Sequence, residues 1–358
     1  MHYRFQFRRY RLALRAPVRT AHGPWAELEG VIVRLAAEGG GVGYGEAAVI
    51  PWFGTETADE AEAACRELGE HVDDARLESV PARLACLRNA IASARFEIGQ
   101  VSDRPNGRES GMGQVTDLTY LPVAALLPAG RAALAGIAPK AEAGFRTFKW
   151  KVGVGDAADE LALLDDVCAA LPEGAKLRLD ANGAWDRRTA ERWLERSAER
   201  PVEFIEQPCF AGAGETTTRR AKADDLLRGL AESFPTPIAL DESIAGEGDV
   251  ERWLALGWRG IFVVKPALLG DAAGALEKLA AAKADVVFSS ALETAVGARA
   301  ALRRAFAWKP PGGAGRALGF GVWPLFADAR CDGPHTAAFL RVEDVERLNP
   351  EGVWNAVN

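Results

Sequence analysis

The sequence predicts an α/β protein: a modified (β/α)-barrel preceded by a smaller N-terminal α+β domain. Three observations carry this expectation. Short apolar runs recur near residues 121–127, 145–151, 176–180, 202–206, 237–241, 260–265, 285–289 and 317–321, at spacings of roughly 25 to 35 residues that suit repeated strand–helix units. Residues 3–15 and 28–37 are rich in Phe, Tyr, Leu and Val with period-two alternation, the pattern of half-buried strands. Between these two kinds of pattern, residues 102–118 are polar and Gly-rich and read as a loop or linker.

Each element has its own signal. Gly39 to Gly45 supplies a turn after the second early strand. Residues 57–71 open with Thr57 as an N-cap and an acidic first turn, and residues 81–99 give a second helical pattern beginning at Pro81. These helices pack on the opening sheet, giving an N-terminal domain over residues 1–110 and a barrel over 111–333. The final stretch, 334–358, is expected to return to the first domain. Eight βα runs suggest closure into a barrel. An open doubly wound sheet would concentrate a Gly-rich phosphate loop after one strand, and none is present.

Composition narrows the chemistry. The 358-residue chain is 48% apolar and 26% charged, the balance of an ordinary globular protein. A net charge of −7 and pI near 5.4 disfavour nucleic acid, whose backbone needs a cationic surface, and favour a small-molecule partner. No stretch approaches transmembrane length, and the first residues lack the continuous apolar run of a signal peptide. Five scattered cysteines without metal-ligand spacing fit reduced thiols and a cytoplasmic location. Four separated histidines leave a metal to oxygen ligands.

Asp180 ends KLRLD, Glu206 ends VEFIE and Asp241 ends PIALD, so three successive strands deliver a carboxylate at the same end. In a (β/α)-barrel those ends converge on one face. Such a set suits a hard divalent cation with open positions, Mg²⁺ or, as a substitute, Mn²⁺. Lys149 and Lys151, two apart in FKWKV, share one strand face, with Trp150 on the other. Each ammonium is expected to lower the pKa of the other. Lys265 closes GIFVVK before Pro266 and is expected to face them across the barrel. Cations then flank a metal, an arrangement for removing a proton beside a carboxylate. The resulting enediolate needs charge stabilisation, and each positive charge at 4 Å contributes roughly 4 kcal/mol at an effective dielectric near 20.

The motifs FKWKVGV, LRLDANGAW, VEFIEQP, PIALDES, WRGIFVVKPALLG, VFSSALETAVG and ALGFGVWP together resemble the o-succinylbenzoate synthases of the enolase superfamily, in particular their cyanobacterial-type branch. RTAHGPW and IPWFGTET are similar to that branch's capping-domain loops. The superfamily's use of a Lys or His base with Mg²⁺ is an established pattern. The resemblance implies Mg²⁺-dependent syn-dehydration of 2-succinyl-6-hydroxy-2,4-cyclohexadiene-1-carboxylate to 2-succinylbenzoate, a step of menaquinone or phylloquinone synthesis. It implies that Lys151 is the base, that Lys265 stabilises the enediolate, and that Lys149 bonds the substrate carboxylate. It also implies that Asn182 and Arg178 orient substrate, and that Ser289, Ser290, Glu293, Gly319 and Gly321 line the site and receive the succinyl group. Thr20, Ala21 and His22 would close over it. N-succinylamino-acid racemase stands as the alternative, with the same metal and lysines. Monomer and homodimer both remain open.

Overall fold

The computed structural model describes residues 1–20, 23–102, 120–212, 214–311, 313 and 315–357. The expected boundary at residues 110–111 therefore lies outside the described residues. The N-terminal sheet contains β1 (His2–Thr20), β2 (Gly23–Ala37), β3 (Val42–Ala48) and the short β4 (His71–Asp73), in the order β3-β2-β1-β4. Its β1–β2 pairing is antiparallel, with a register shift between Ala13 and Val18. Three helices accompany it, α1 (Ala58–Leu68), α2 (Asp74–Glu78) and α3 (Ala85–Ser102). Thr57 caps α1 as the sequence predicts, and Glu60 completes a reciprocal capping box. The first helix stops at Leu68 rather than 71, because Gly69 takes a positive φ and His71–Asp73 pairs with β1.

The second region follows the expected repeat. After β5 (Tyr120–Pro122) and β6 (Ala125–Leu127) come α4 (Ala132–Glu142), β7 (Thr147–Lys151), α5 (Ala157–Ala170), β8 (Lys176–Asp180), α6 (Arg187–Ser197) and β9 (Val202–Glu206). The alternation continues through α7 (Thr217–Ser233), β10 (Ile238–Leu240), α8 (Glu247–Ala255), β11 (Ile261–Val264), α9 (Ala272–Ala281), β12 (Asp285–Phe288) and α10 (Ala295–Ala307). Strands β6 to β12 form one seven-stranded sheet, paired in sequence order.

Two of the eight expected runs behave differently. Residues 121–127 split: β6 joins the parallel sheet, while β5 pairs antiparallel with β13 (Phe339–Arg341). Residues 317–321 form no regular strand, yet Leu318 bridges Val123 and Gly319 bridges Ser289, both in parallel sense. Backbone bonds from Ala124 N to Leu318 O (2.9 Å) and from Gly319 N to Phe288 O (2.8 Å) close the ring at these points. Close packing accounts for the irregularity: a Cβ on Gly321 would fall 2.5 Å from the Ala124 carbonyl oxygen. After β13, α11 (Val342–Glu346) and α12 (Pro350–Ala356) complete the chain. Arg8 of β1 donates to the carbonyls of Trp354 and Val357, so this last segment touches the first sheet.

Apolar packing falls into layers. Outward-facing strand residues such as Trp150 meet the helices, where Trp185 stacks on Trp193 at 4.9 Å between ring centroids. Inside the barrel, Phe204, Ala239, Ile261, Val263 and Val287 form a small separate cluster. The N-terminal domain's core includes Ala267, Leu268 and Ala291 from barrel loops, so the two regions share buried surface. Helix α3 lies directly against β3, where a Cβ on Gly45 would sit 1.8 Å from the Ala90 carbonyl oxygen.

The barrel floor also holds a charge. Arg178 is 1% exposed; its Nε donates to Glu203 (2.7 Å), its Nη1 to the Ala317 carbonyl (2.8 Å), and its guanidinium lies over the Phe204 ring. Arg316 and Lys176 also meet Glu203. Two stability predictions follow from this packing. Gly45→Ala should lose about 1–3 kcal/mol through overpacking against backbone, read as a lowered urea midpoint. Arg178→Met should lose about 3 kcal/mol by leaving Glu203 buried with fewer partners, and an unchanged midpoint would show that the pair carries no stability.

Candidate active site

The sheet register assembles the site. Lys151 is aligned with Asp180 across β7 and β8, and Asp180 with Glu206 across β8 and β9. Asp241 lies just past the end of β10, and Lys265 just past β11. Asp180, Glu206, Asp241 and Lys265 are all buried. Lys149, Lys151, Asp180, Asp241 and Lys265 line one cavity of about 530 Å³ at the carboxyl ends of the strands. Trp25, Trp52 and Phe53 of the N-terminal domain form its apolar lid-side wall, with the two indoles edge to face at 4.4 Å.

The charges are interleaved. Lys149 Nζ reaches Asp180 Oδ2 at 2.9 Å and Glu206 Oε1 at 2.7 Å. Lys265 Nζ contacts Asp241 Oδ1 and lies 4.8 Å from the Phe53 ring centroid. Lys151 Nζ contacts Asn182 Oδ1, and Asn182 Nδ2 donates in turn to Glu242 Oε1 at 2.9 Å. The lysine base expected from sequence thus sits at the end of a hydrogen-bonded chain that fixes where its ammonium points.

These contacts decide the direction of each titration. Burial alone would lower Lys149, but Asp180 and Glu206 outweigh it and raise its pKa. The expected mutual depression of Lys149 and Lys151 is therefore corrected for Lys149, because two carboxylates lie nearer than solvent. Burial pushes Lys265 down to about 7, with the Lys149 charge adding to the effect against attraction by Glu206. Burial would raise Asp180, yet Lys149 and Lys151 hold it below the ordinary carboxylate range. Glu206 is raised, by burial and by the neighbouring Asp180 charge. Glu242 is raised to about 7 by burial and by Asp180, against the Asn182 hydrogen bond.

The other residues singled out by sequence divide. Asn182, Ser289, Ser290 and Gly319 line the cavity. Ser289 Oγ donates to the Gly319 carbonyl (3.3 Å) and Ser290 Oγ to Glu293 (2.9 Å). Arg178 and Gly321 are not among the cavity-lining residues: the first is held in the barrel floor and the second packs against Ala124. Ala21 and His22 lie outside the described residues. Two residues carry more than sequence reasoning assigned them. Glu242, directly after Asp241, lines the cavity, and its Oε2 is buried without a hydrogen-bond partner. Gln207, directly after Glu206, is fully buried at φ +38°. Its Oε1 accepts from the backbone N–H groups of Asp241 (2.9 Å) and Ser243 (3.1 Å), which ties one carboxylate-bearing strand end to the next. The signal for both was adjacency to a named carboxylate.

Among the described residues no three His, Cys, Asp or Glu side chains close around one point. Ammonium groups take up the space instead: Lys149 bridges Asp180 and Glu206, and Lys265 meets Asp241. The donor chemistry nevertheless fits a hard cation. All three groups offer carboxylate oxygens from neighbouring strand ends, and the unpartnered Glu242 oxygen stands beside them.

Comparison with known proteins agrees with this geometry. A family described as enolase C-terminal domain-like matches residues 133–310. The o-succinylbenzoate synthase of Thermosynechococcus vestitus is 38% identical over 324 residues, covering 89% of this chain and 92% of the relative. The crystal structure of o-succinylbenzoate synthase from Thermosynechococcus elongatus BP-1, complexed with Mg in the active site, superposes with a TM-score of 0.78 at 35% identity, covering 99% of each chain. The L-Ala-D/L-Glu epimerase from Bacillus subtilis shares the fold, with a TM-score of 0.77 at 20% identity over 94% of this chain and 95% of the other. Barrel, carboxylate-bearing strand ends and lysines thus stand in a chain that belongs to the o-succinylbenzoate synthase family, within the enolase superfamily.

Proposed function

We propose that the chain is an o-succinylbenzoate synthase, a lyase that dehydrates 2-succinyl-6-hydroxy-2,4-cyclohexadiene-1-carboxylate to 2-succinylbenzoate in menaquinone or phylloquinone biosynthesis. One observation carries the reading: lysines from β7 and from the end of β11 line the same cavity as Asp180 and Asp241, in a chain 38% identical to a synthase. Asp180, Glu206 and Asp241 would hold Mg²⁺, with Mn²⁺ as a substitute. When bound, the cation supplies positive charge to the substrate carboxylate.

This chain's own groups do the rest. Lys151, in its neutral form, takes the proton from the carbon beside the carboxylate, and Asn182 and Glu242 hold its Nζ in line. The electron pair left behind spreads toward the carboxylate, where Lys265 supplies charge from the opposite side. The C–OH bond then breaks, Lys151 returns its proton to the departing hydroxide, and water leaves from the same face. Lys149 bridges Asp180 and Glu206 and helps hold Asp180 below the ordinary carboxylate range. Ser289, Ser290 and the Gly319 backbone receive the succinyl arm. The aromatic wall of Trp25, Trp52 and Phe53 excludes water from the reacting face.

No helix among the described residues is long and apolar enough to cross a membrane, and the net charge of −7 fits a small-molecule partner over nucleic acid. We place the enzyme in the cytoplasm.

The test is direct turnover. With Mg²⁺ and the cyclohexadiene substrate, aromatic absorbance should grow, and Lys151→Ala should reduce kcat by about 10²–10⁴-fold, the usual contribution of a positioned base. Retained dehydration in Lys151→Ala would refute the base assignment. Absence of dehydration together with exchange of the α-proton of N-succinyl amino acids would replace the synthase by the racemase.

A further inference from the structure

The wall that carries Ser289 and Ser290 packs on the N-terminal domain through Ala291, and α10 pairs with Glu97 of α3 through Arg299 and Arg303; a buried acid adds a tie at the point where the wall enters the helix. Glu46, on β3, is 1% exposed. Its carboxylate accepts from Tyr10 Oη of β1 at 2.7 Å. From the barrel it accepts from the backbone N–H groups of Thr294 (3.0 Å) and Gly297 (2.9 Å) and from the Thr294 hydroxyl. Thr294 and Gly297 belong to the first turn of α10, so an anion from one domain satisfies the free N–H groups opening a helix of the other. Residue 297 must be glycine for this approach: a Cβ there would meet Glu293 Cβ at 2.8 Å and Glu46 Oε2 at 3.1 Å.

Immediately before α10 runs the segment Ser289 to Glu293, of which Ser289, Ser290, Ala291 and Leu292 line the active-site cavity. This turn is strained and self-bound. Leu292 has φ +63°, a left-handed conformation that crowds its Cβ against the backbone carbonyl. The Glu293 carboxylate accepts from Ser290 Oγ (2.9 Å) and the Ala291 N–H, and Leu292 N donates to Ser290 Oγ at 2.8 Å. The turn ends at Thr294, the residue Glu46 holds.

We propose that Glu46 is a positioning residue: it latches the N-terminal domain to α10 and thereby sets the Ser289–Leu292 wall against the substrate's succinyl arm. It touches neither the reacting carbon nor the carboxylate cluster. Loss of the latch should therefore weaken binding of the remote arm equally in ground and transition states, which raises KM and leaves kcat. The kinetic part rests on the synthase reading; the structural part does not.

The experiment compares full-length wild type with Glu46→Gln and Thr294→Ala. Gln presents an amide N–H₂ where donors already point, and Ala removes only the hydroxyl half of the latch. Amide hydrogen exchange in residues 289–297 should accelerate about tenfold or more in Glu46→Gln, with KM for the cyclohexadiene substrate raised about tenfold and kcat within about threefold. Thr294→Ala should show smaller changes in the same direction, and it decides the matter if Glu46→Gln does not fold. Unchanged exchange in a folded variant would overturn the latch, whether or not the protein turns over this substrate. A fall in kcat at constant KM, or loosened exchange with unaltered KM, would overturn the positioning role.

Discussion

Burying a carboxylate inside a barrel is costly unless a counter-charge arrives from a neighbouring strand, and the parallel register of β7, β8 and β9 supplies one. Lys151, Asp180 and Glu206 lie at one level of the barrel, and Lys149, Arg178 and Phe204 at the level below. Lys149 reaches up to two carboxylates, while Arg178 turns down to Glu203. A register slip of one residue would turn these side chains into the helical layer, where Trp150, Trp193 and Trp185 pack. The indole layer outside and the charge ladder inside therefore fix the same alignment.

The N-terminal domain completes the cavity rather than merely covering it. Its aromatics form the apolar wall, Phe53 faces the Lys265 ammonium, and Glu46 engages the first turn of α10. The segment between β12 and α10 is consequently bound on both sides: its serines line the cavity, and its end is held by the other domain. Gln207 does similar work between strands, since its four side-chain hydrogen bonds offset a backbone conformation that favours glycine.

Much of this was legible in the sequence because strand periodicity places side chains by parity. The spacing of Lys149 and Lys151, and the acids ending three apolar runs, required only that the strands be parallel and adjacent. The eighth run was less legible: GFG closes the ring through isolated bridges, since close backbone approach rather than strand propensity governs it. Arg178 resisted for a related reason. Parity gave its face, but only depth along the strand shows that it meets Glu203 and Ala317 and does not line the cavity. Glu46 was invisible, because its barrel partners lie about 250 residues away in the chain and nothing local in VGYGEAA announces them. The direction of the Lys149 shift likewise depends on the distances to Asp180 and Glu206, which the lysine pair alone does not contain.

The account turns on Asp180, Glu206 and Asp241 acting as one cation site whose carboxylates are each met by a lysine. Calorimetric titration of Mg²⁺ into wild type, Asp180→Asn, Glu206→Gln and Asp241→Asn tests this most directly. Each substitution is predicted to weaken binding by at least about 100-fold, the upper end of what a metal site loses when even an outer-shell partner is removed. Wild-type Mg²⁺ affinity in any one of the three folded variants would contradict it.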